Sequence, residues 1–154
     1  MLSALLRGQT PEDAHAQAMA CLTDCHPELH ALPEGLHREG LPFLRLDDPD
    51  TVGYTFKTLG AGMWALLQAP SFTDGLLEVI HAGGDADTNA AVASAVLGAR
   101  FGRGAIPGRW QEGLVDLGRF NDRVDGFLAA VQEDKGRAPS METGNLGQAE
   151  NRHF

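Results

Sequence analysis

Apolar residues recur at helical spacing along most of the chain, and no stretch shows the strict alternation of a half-buried strand. Met1 to Arg7 reads as the last turns of a helix ended by Gly8. Thr10-Pro11-Glu12-Asp13 is a helix start: a capping hydroxyl, proline at the first helical position, and two acids at the positive end of the dipole. This helix is expected to run to about Asp24 and stop near Pro27. Residues 26 to 50 contain Pro27, Pro33, Pro42 and Pro49 with Gly35 and Gly40, and read as a loop with a helical turn around Leu29.

Asp50 or Thr51 is placed to cap the next helix, whose stripe is Phe56, Leu59, Met63 and Leu66. Pro70 ends it. Ser71-Phe72-Thr73-Asp74 resembles a capping box and opens a helix to about Ile80. Gly83-Gly84 breaks that helix. From Asp87 to about Phe101 the side chains are small nearly all round and, after Asp87, carry no charge until Arg100, which predicts a closely packed, buried helix. Gly102 and Gly104 end it. Ile106-Pro107 leads into Trp110 and a helix to about Leu117. Asn121 then caps an amphipathic helix bearing Val124, Phe127, Leu128 and Val131. The fold class is all-α, without internal repeats. Residues 1–134 form the folded part, and 135–154 read as a disordered tail.

Length and composition add limits. A chain of 154 residues suggests one domain with a real core. The net charge of -9 argues against a nucleic-acid surface, where lysine and arginine neutralise phosphates, and against an anionic membrane. No apolar run reaches the roughly 20 residues that span a bilayer. The N-terminus is too short in apolar residues for a signal peptide. Two cysteines make no disulfide scaffold. Together these suggest a cytoplasmic protein.

The chemistry concentrates at Gly83-Gly84-Asp85-Ala86-Asp87-Thr88-Asn89. Asp85, Asp87 and Thr88 stand where a Gly-Gly turn meets an uncharged helix. Carboxylate and hydroxyl oxygens are hard ligands that suit Mg2+ or Mn2+ better than zinc. The two glycines let the chain turn sharply enough to present both carboxylates. Asn89 could orient one of them. One aspartate at such a place is usually only a helix cap. A complete site wants about six oxygen ligands, some from water, so three side chains imply others elsewhere.

Gly83 to Gly102, continuing to Ile106-Pro107 and Trp110, resembles the C-terminal signature of the ADP-ribosylglycohydrolase family, which includes the dinitrogenase reductase-activating glycohydrolases. Upstream, Gly53-Tyr54 with Thr58-Leu59 and Trp64 resembles a second segment of that family at fitting separation. The resemblance covers roughly residues 10 to 130. It implies an orthogonal all-α helical bundle, two Mg2+ or Mn2+ ions, and hydrolysis of ADP-ribose from a protein side chain or small acceptor. It makes Asp85, Asp87 and Thr88 metal ligands and places Tyr54 at the ribose cleft.

The chain also departs from the family pattern. The Thr-Asp-Asp-Thr-like motif that supplies the family's other ligands, well over a hundred residues upstream, has no counterpart, and the central glycine-rich substrate loop is missing. Asp47-Asp48-Pro49-Asp50-Thr51 immediately precedes the Gly-Tyr segment and is no substitute. The resemblance therefore suggests the C-terminal half of an enzyme, weak or inactive alone and completed by an N-terminal half. The alternative is a non-catalytic remnant that keeps the helical core and binds a partner or itself.

Lesser candidates are Cys21, Cys25, His26 and His30, too crowded for a usual structural zinc site, and His81. His81 reads first as a cation at a helix C-terminus and second as a base or support for the acidic motif.

Overall fold

The computed structural model describes residues 1–21 and 26–137, with side chains described to Gln132. The described residues are helical and irregular, without a strand. The helices are α1 (Leu2–Leu6), α2 (Pro11–Cys21), α3 (Pro27–Glu39), α4 (Thr55–Leu67), α5 (Phe72–His81), α6 (Ala86–Phe101), α7 (Gly108–Glu112) and α8 (Leu117–Arg137). A 3-10 turn, Leu41–Leu44, links α3 towards α4. The chain divides into two units, Met1–Gln111 and Glu112–Phe154.

Several starts follow the sequence closely. Thr10 Oγ1 accepts the Asp13 amide hydrogen at 3.1 Å and opens α2. Ser71 Oγ accepts that of Asp74 at 3.0 Å and opens α5. The expected end of α2 near Asp24, and Cys25, lie outside the described residues.

The loop expected over residues 26–50 is corrected. Thirteen of its residues form α3. Pro27 sits in the first turn, where no amide hydrogen is needed. Pro33 lies inside and removes one backbone bond, yet the helix persists. Leu29, Leu32 and Leu36 provide the compensation: they stand at i, i+3 and i+7 and are all buried. Each such leucine contributes roughly 1.5–3 kcal/mol on burial. At the far end Gln68 Nε2 donates to the Leu36 carbonyl at 2.8 Å and ties α4 to α3.

Helix α4 begins at Thr55 with Tyr54 at its N-cap, three or four residues later than the capping reading of Thr51 or Asp50. It packs on α6, and α6 packs on α5. Close approach of α4 and α6 is permitted at Gly62, where a Cβ would stand 3.3 Å from a Val92 methyl. Arg100, near the end of α6, donates from Nη1 to the carbonyls of Ala65 (3.1 Å) and Ala69 (2.9 Å). Ala65 lies in the last turn of α4 and Ala69 two residues past its end, where carbonyls lack helical partners.

The expectation of a helix buried all round is also corrected for α6. Ala93, Val96 and Leu97 are buried, whereas Ala91, Val92 and Ala95 are exposed. Its small residues thus make two faces, one packed on α4 and α5 and one open.

The helix expected from Trp110 to Leu117 is shorter: α7 stops at Glu112, and Asp116 adopts a left-handed φ of 58° just before α8. In the first unit, the Trp110 ring lies 6.3 Å from that of Phe72. In the second, α8 starts at Leu117, so Asn121 is inside it and not its cap. The helix continues to Arg137, a few residues past the expected boundary at 134, and the remainder of the expected tail lies outside the described residues. Phe127, Leu128 and Val131 are exposed along it.

Candidate functional site

The acidic motif sits on the turn between α5 and α6. Gly83 and Gly84 both have positive φ, +78° and +64°. That conformation suits glycine and strains other residues. Gly84 also has no room for a side chain: a Cβ there would lie 1.9 Å from the Leu46 carbonyl oxygen. The backbone at Leu46–Asp47 therefore forms a wall on which the turn is moulded, and Gly83 lies against the Asp47 Cβ position at 3.4 Å. Sequence reading missed this wall, because residues 45–48 have no periodicity. The paired glycines were the available signal that something approaches closely.

The turn delivers Asp85 to the N-cap of α6. Its side chain makes no capping hydrogen bond. Asp85 is thus no side-chain cap, whereas Asp87, the aspartate that the sequence offered as a plain cap, has its carboxyl at the backbone amides of the first turn. The Asp85 side chain is instead hydrogen-bonded to that of Asp87 in the first turn. This bond holds the Asp87 carboxyl below its ordinary pKa, and the backbone amides of Thr88 and Asp87 act in the same direction. Asp85 is half-buried, while Asp87 and Thr88 are exposed.

Asn89 turns inward. It is 3% exposed, and its Oδ1 accepts the Thr58 hydroxyl hydrogen at 2.8 Å. Its backbone N–H donates to the Asp85 carbonyl at 3.0 Å, the first helical bond of α6. The Thr58–Asn89 bond pins the acidic start of α6 to α4.

The same helix brings in the Gly53-Tyr54 segment. A Cβ at Gly53 would be 3.6 Å from Asp85 Oδ2, so this turn runs beside the carboxylate. Tyr54 Oη donates to Glu28 Oε2 on α3 at 2.7 Å. That bond, with lesser contributions from burial and from the Glu28 charge, raises the phenol above its ordinary pKa. The Tyr54, Phe56 and His26 rings stack obliquely, with centroids 5.1 and 5.4 Å apart.

His81 is exposed at the end of α5 and lines a separate cavity of 440 Å3 with Asp47 and Glu78. Cys21 is exposed. Among the described residues, no three His, Cys, Asp or Glu side chains gather as they would to hold a metal ion. Asp85, Asp87 and Thr88 offer donors of the right hardness for a divalent cation, but too few to enclose one.

Residues 1–138 match the family model described as ADP-ribosylglycohydrolase. The chain belongs to the ADP-ribosylglycohydrolase family. It is similar to the ADP-ribosylarginine hydrolase Tri1 of Serratia proteamaculans (strain 568), with 35% identity over 89 residues, which are 57% of this chain and 24% of that relative. It is also similar to the protein of that name from Pseudomonas putida (strain GB-1), with 37% identity over 60 residues, 39% of this chain and 16% of the relative. These matches thus cover only about a quarter or less of either relative. No solved structure matches the chain. The all-α architecture agrees with the family expectation. Among the described residues, no helix is long and apolar enough to cross a membrane.

Proposed function

We propose that the chain is the ligand-bearing C-terminal portion of a metal-dependent hydrolase that removes ADP-ribose from arginine side chains. The observation that carries this reading is the placement of Asp85 and Asp87 at the start of α6, directly after the Gly83-Gly84 turn moulded on the Leu46 carbonyl. Two carboxyl side chains at a glycine-moulded turn, beside the Thr88 hydroxyl and with Asp85 in no capping bond, are arranged for a divalent cation. Arginine as acceptor is taken from the names of the similar proteins, whose lengths this chain matches only in part.

Asp85, Asp87 and Thr88 would hold Mg2+ or Mn2+. When bound, the ion would supply Lewis acidity and fixed positive charge at the substrate ribose. The net reaction adds water across the bond between the ribose anomeric carbon and the arginine nitrogen. The chain's own part is to fix the carboxylates through Gly84 and Asn89 and to place Tyr54 beside the ribose cleft. The remaining ligands come from a further segment carrying the second acidic motif, in the same polypeptide or another.

The open face of α6, with Ala91 and Ala95, favours a second reading. It would serve as an interaction surface of a non-catalytic module, contacting a partner or a second copy. One experiment separates the two. ADP-ribosyl-arginine hydrolysis is assayed with Mg2+ or Mn2+, with and without the N-terminal region of a family relative. The enzyme reading expects turnover to appear with that region and to fall at least tenfold in Asp87→Ala. Turnover unaffected by Asp87→Ala would refute the site, and no turnover in any combination would favour the module.

A further inference from the structure

Helix α8 of the second unit carries an apolar stripe. Phe120, Val124, Phe127 and Val131 follow one another at spacings of four, three and four residues. At about 3.6 residues per turn, these four positions fall within a sector of roughly 60°. That is the spacing of a coiled-coil seam. The seam is open: Phe120 is 56% exposed, Phe127 67% and Val131 37%, while Val124 is half-buried. Leu128 lies beside it and is 49% exposed. The charged residues keep off the seam. Asp122 stands on the opposite face, Arg119 and Asp125 on the outer flanks, and Arg123 along one edge.

Such a helix calls for a cover. Gly118 and Gly126 lower its intrinsic helicity, and helices in water draw most of their stability from packing an apolar face. The order of residues along the seam says what fits. From Phe120 to Val131 it runs large, small, large, small, and in reverse it runs small, large, small, large. Against an antiparallel second copy, Phe120 meets Val131 and Val124 meets Phe127, and two-fold symmetry repeats both pairs. Each layer then holds one ring and one valine, the alternation that lets facing side chains interdigitate. A parallel copy would set ring on ring and valine on valine. No charge enters the seam in the antiparallel pair, so no like charges are buried together.

At roughly 200 Å2 for an aromatic side chain, the exposed parts of Phe120 and Phe127 come to roughly 250 Å2 per copy. Doubled, and with Leu128 and Val131 added, the area falls at the low end of specific interfaces, below about 1,200 Å2. We propose that this face of α8 is a homodimer interface, in which two copies of the chain pack antiparallel as a short two-helix coiled coil. The dimer goes beyond both readings of the acidic site and depends on neither.

An interface of this size is expected to dissociate at roughly 10–100 µM. Sedimentation equilibrium of the full chain is therefore expected to pass from monomer to dimer across that range. Phe127→Glu is expected to weaken association at least tenfold while the melting temperature of the dilute chain holds, and Asp122→Asn on the opposite face is expected to leave association unchanged. Direction is read by cross-linking in a Cys21→Ser/Cys25→Ser background. Under mild oxidation, Phe120→Cys mixed with Val131→Cys is expected to give the mixed disulfide in preference to either homodisulfide.

A chain that stays monomeric across that range overturns the proposal and leaves the face to a different partner. Association that Phe127→Glu leaves intact also overturns it, as does a trimer or larger assembly. Preferred joining of Phe120→Cys to itself overturns the antiparallel packing. These readouts involve no hydrolysis, so they stand apart from the fate of the hydrolase reading.

Discussion

Thr58 on α4 donates its hydroxyl hydrogen to Asn89 Oδ1 on α6 across 2.8 Å, and both side chains are buried. Thr58→Val keeps the shape and removes the donor, leaving a buried amide oxygen without that partner. Equilibrium urea unfolding is expected to show a loss of about 1–3 kcal/mol. The double variant Thr58→Val/Asn89→Leu should recover part of it, because both polar groups then leave together. A single variant as stable as the native chain would mean that Asn89 finds another partner.

Gly84→Ala adds a methyl group where the Leu46 carbonyl already stands and imposes a left-handed φ on alanine. The expected cost exceeds about 2 kcal/mol, since the left-handed penalty alone is roughly 1–2 kcal/mol. Gly98→Ala is the comparison. No atom lies within 4 Å of a Cβ at Gly98, and alanine favours helix interiors, so thermal melting should be unchanged or higher.

Tyr54 is the single tyrosine of the chain, so absorbance at the phenolate band titrates it alone. Its midpoint should lie above that of free tyrosine, and Glu28→Gln should lower it. The sign for stability follows from linkage. The neutral phenol is the form favoured in the folded state, so the contribution is complete below the unfolded value near 10 and is lost as pH rises through the folded value. A midpoint at or below that of free tyrosine would show that the bond is absent in solution.

Arg100→Met retains the side chain's length and removes its donors. The Ala65 and Ala69 carbonyls then lose their shared partner. A loss of about 1–3 kcal/mol is expected by urea unfolding, and Arg100→Lys should recover only part, because an ammonium lacks the planar fork.

How much of this was legible in the sequence varied with the kind of interaction. The caps at Thr10 and Ser71 rest on side chains near in sequence and were read directly. Helix α3 was hidden by Pro27 and Pro33, although Leu29, Leu32 and Leu36 carry helical spacing. Their tertiary burial outweighs the break that Pro33 announces. Asp85, Asp87 and Thr88 were legible as a cluster, but their grouping with Gly53 and with the Leu46–Asp47 wall depends on long-range packing. Small residues along α6 signalled close contact without revealing that one face would stay open.

The Gly84 contact has an evolutionary consequence. On one side stands a missing side chain and on the other a backbone carbonyl, which every residue possesses. Substitution at position 46 leaves that oxygen in place, so no compensating change at 84 is ever required. The constraint that shapes the acidic turn would therefore leave no covariation between the two positions, however many homologous chains were compared.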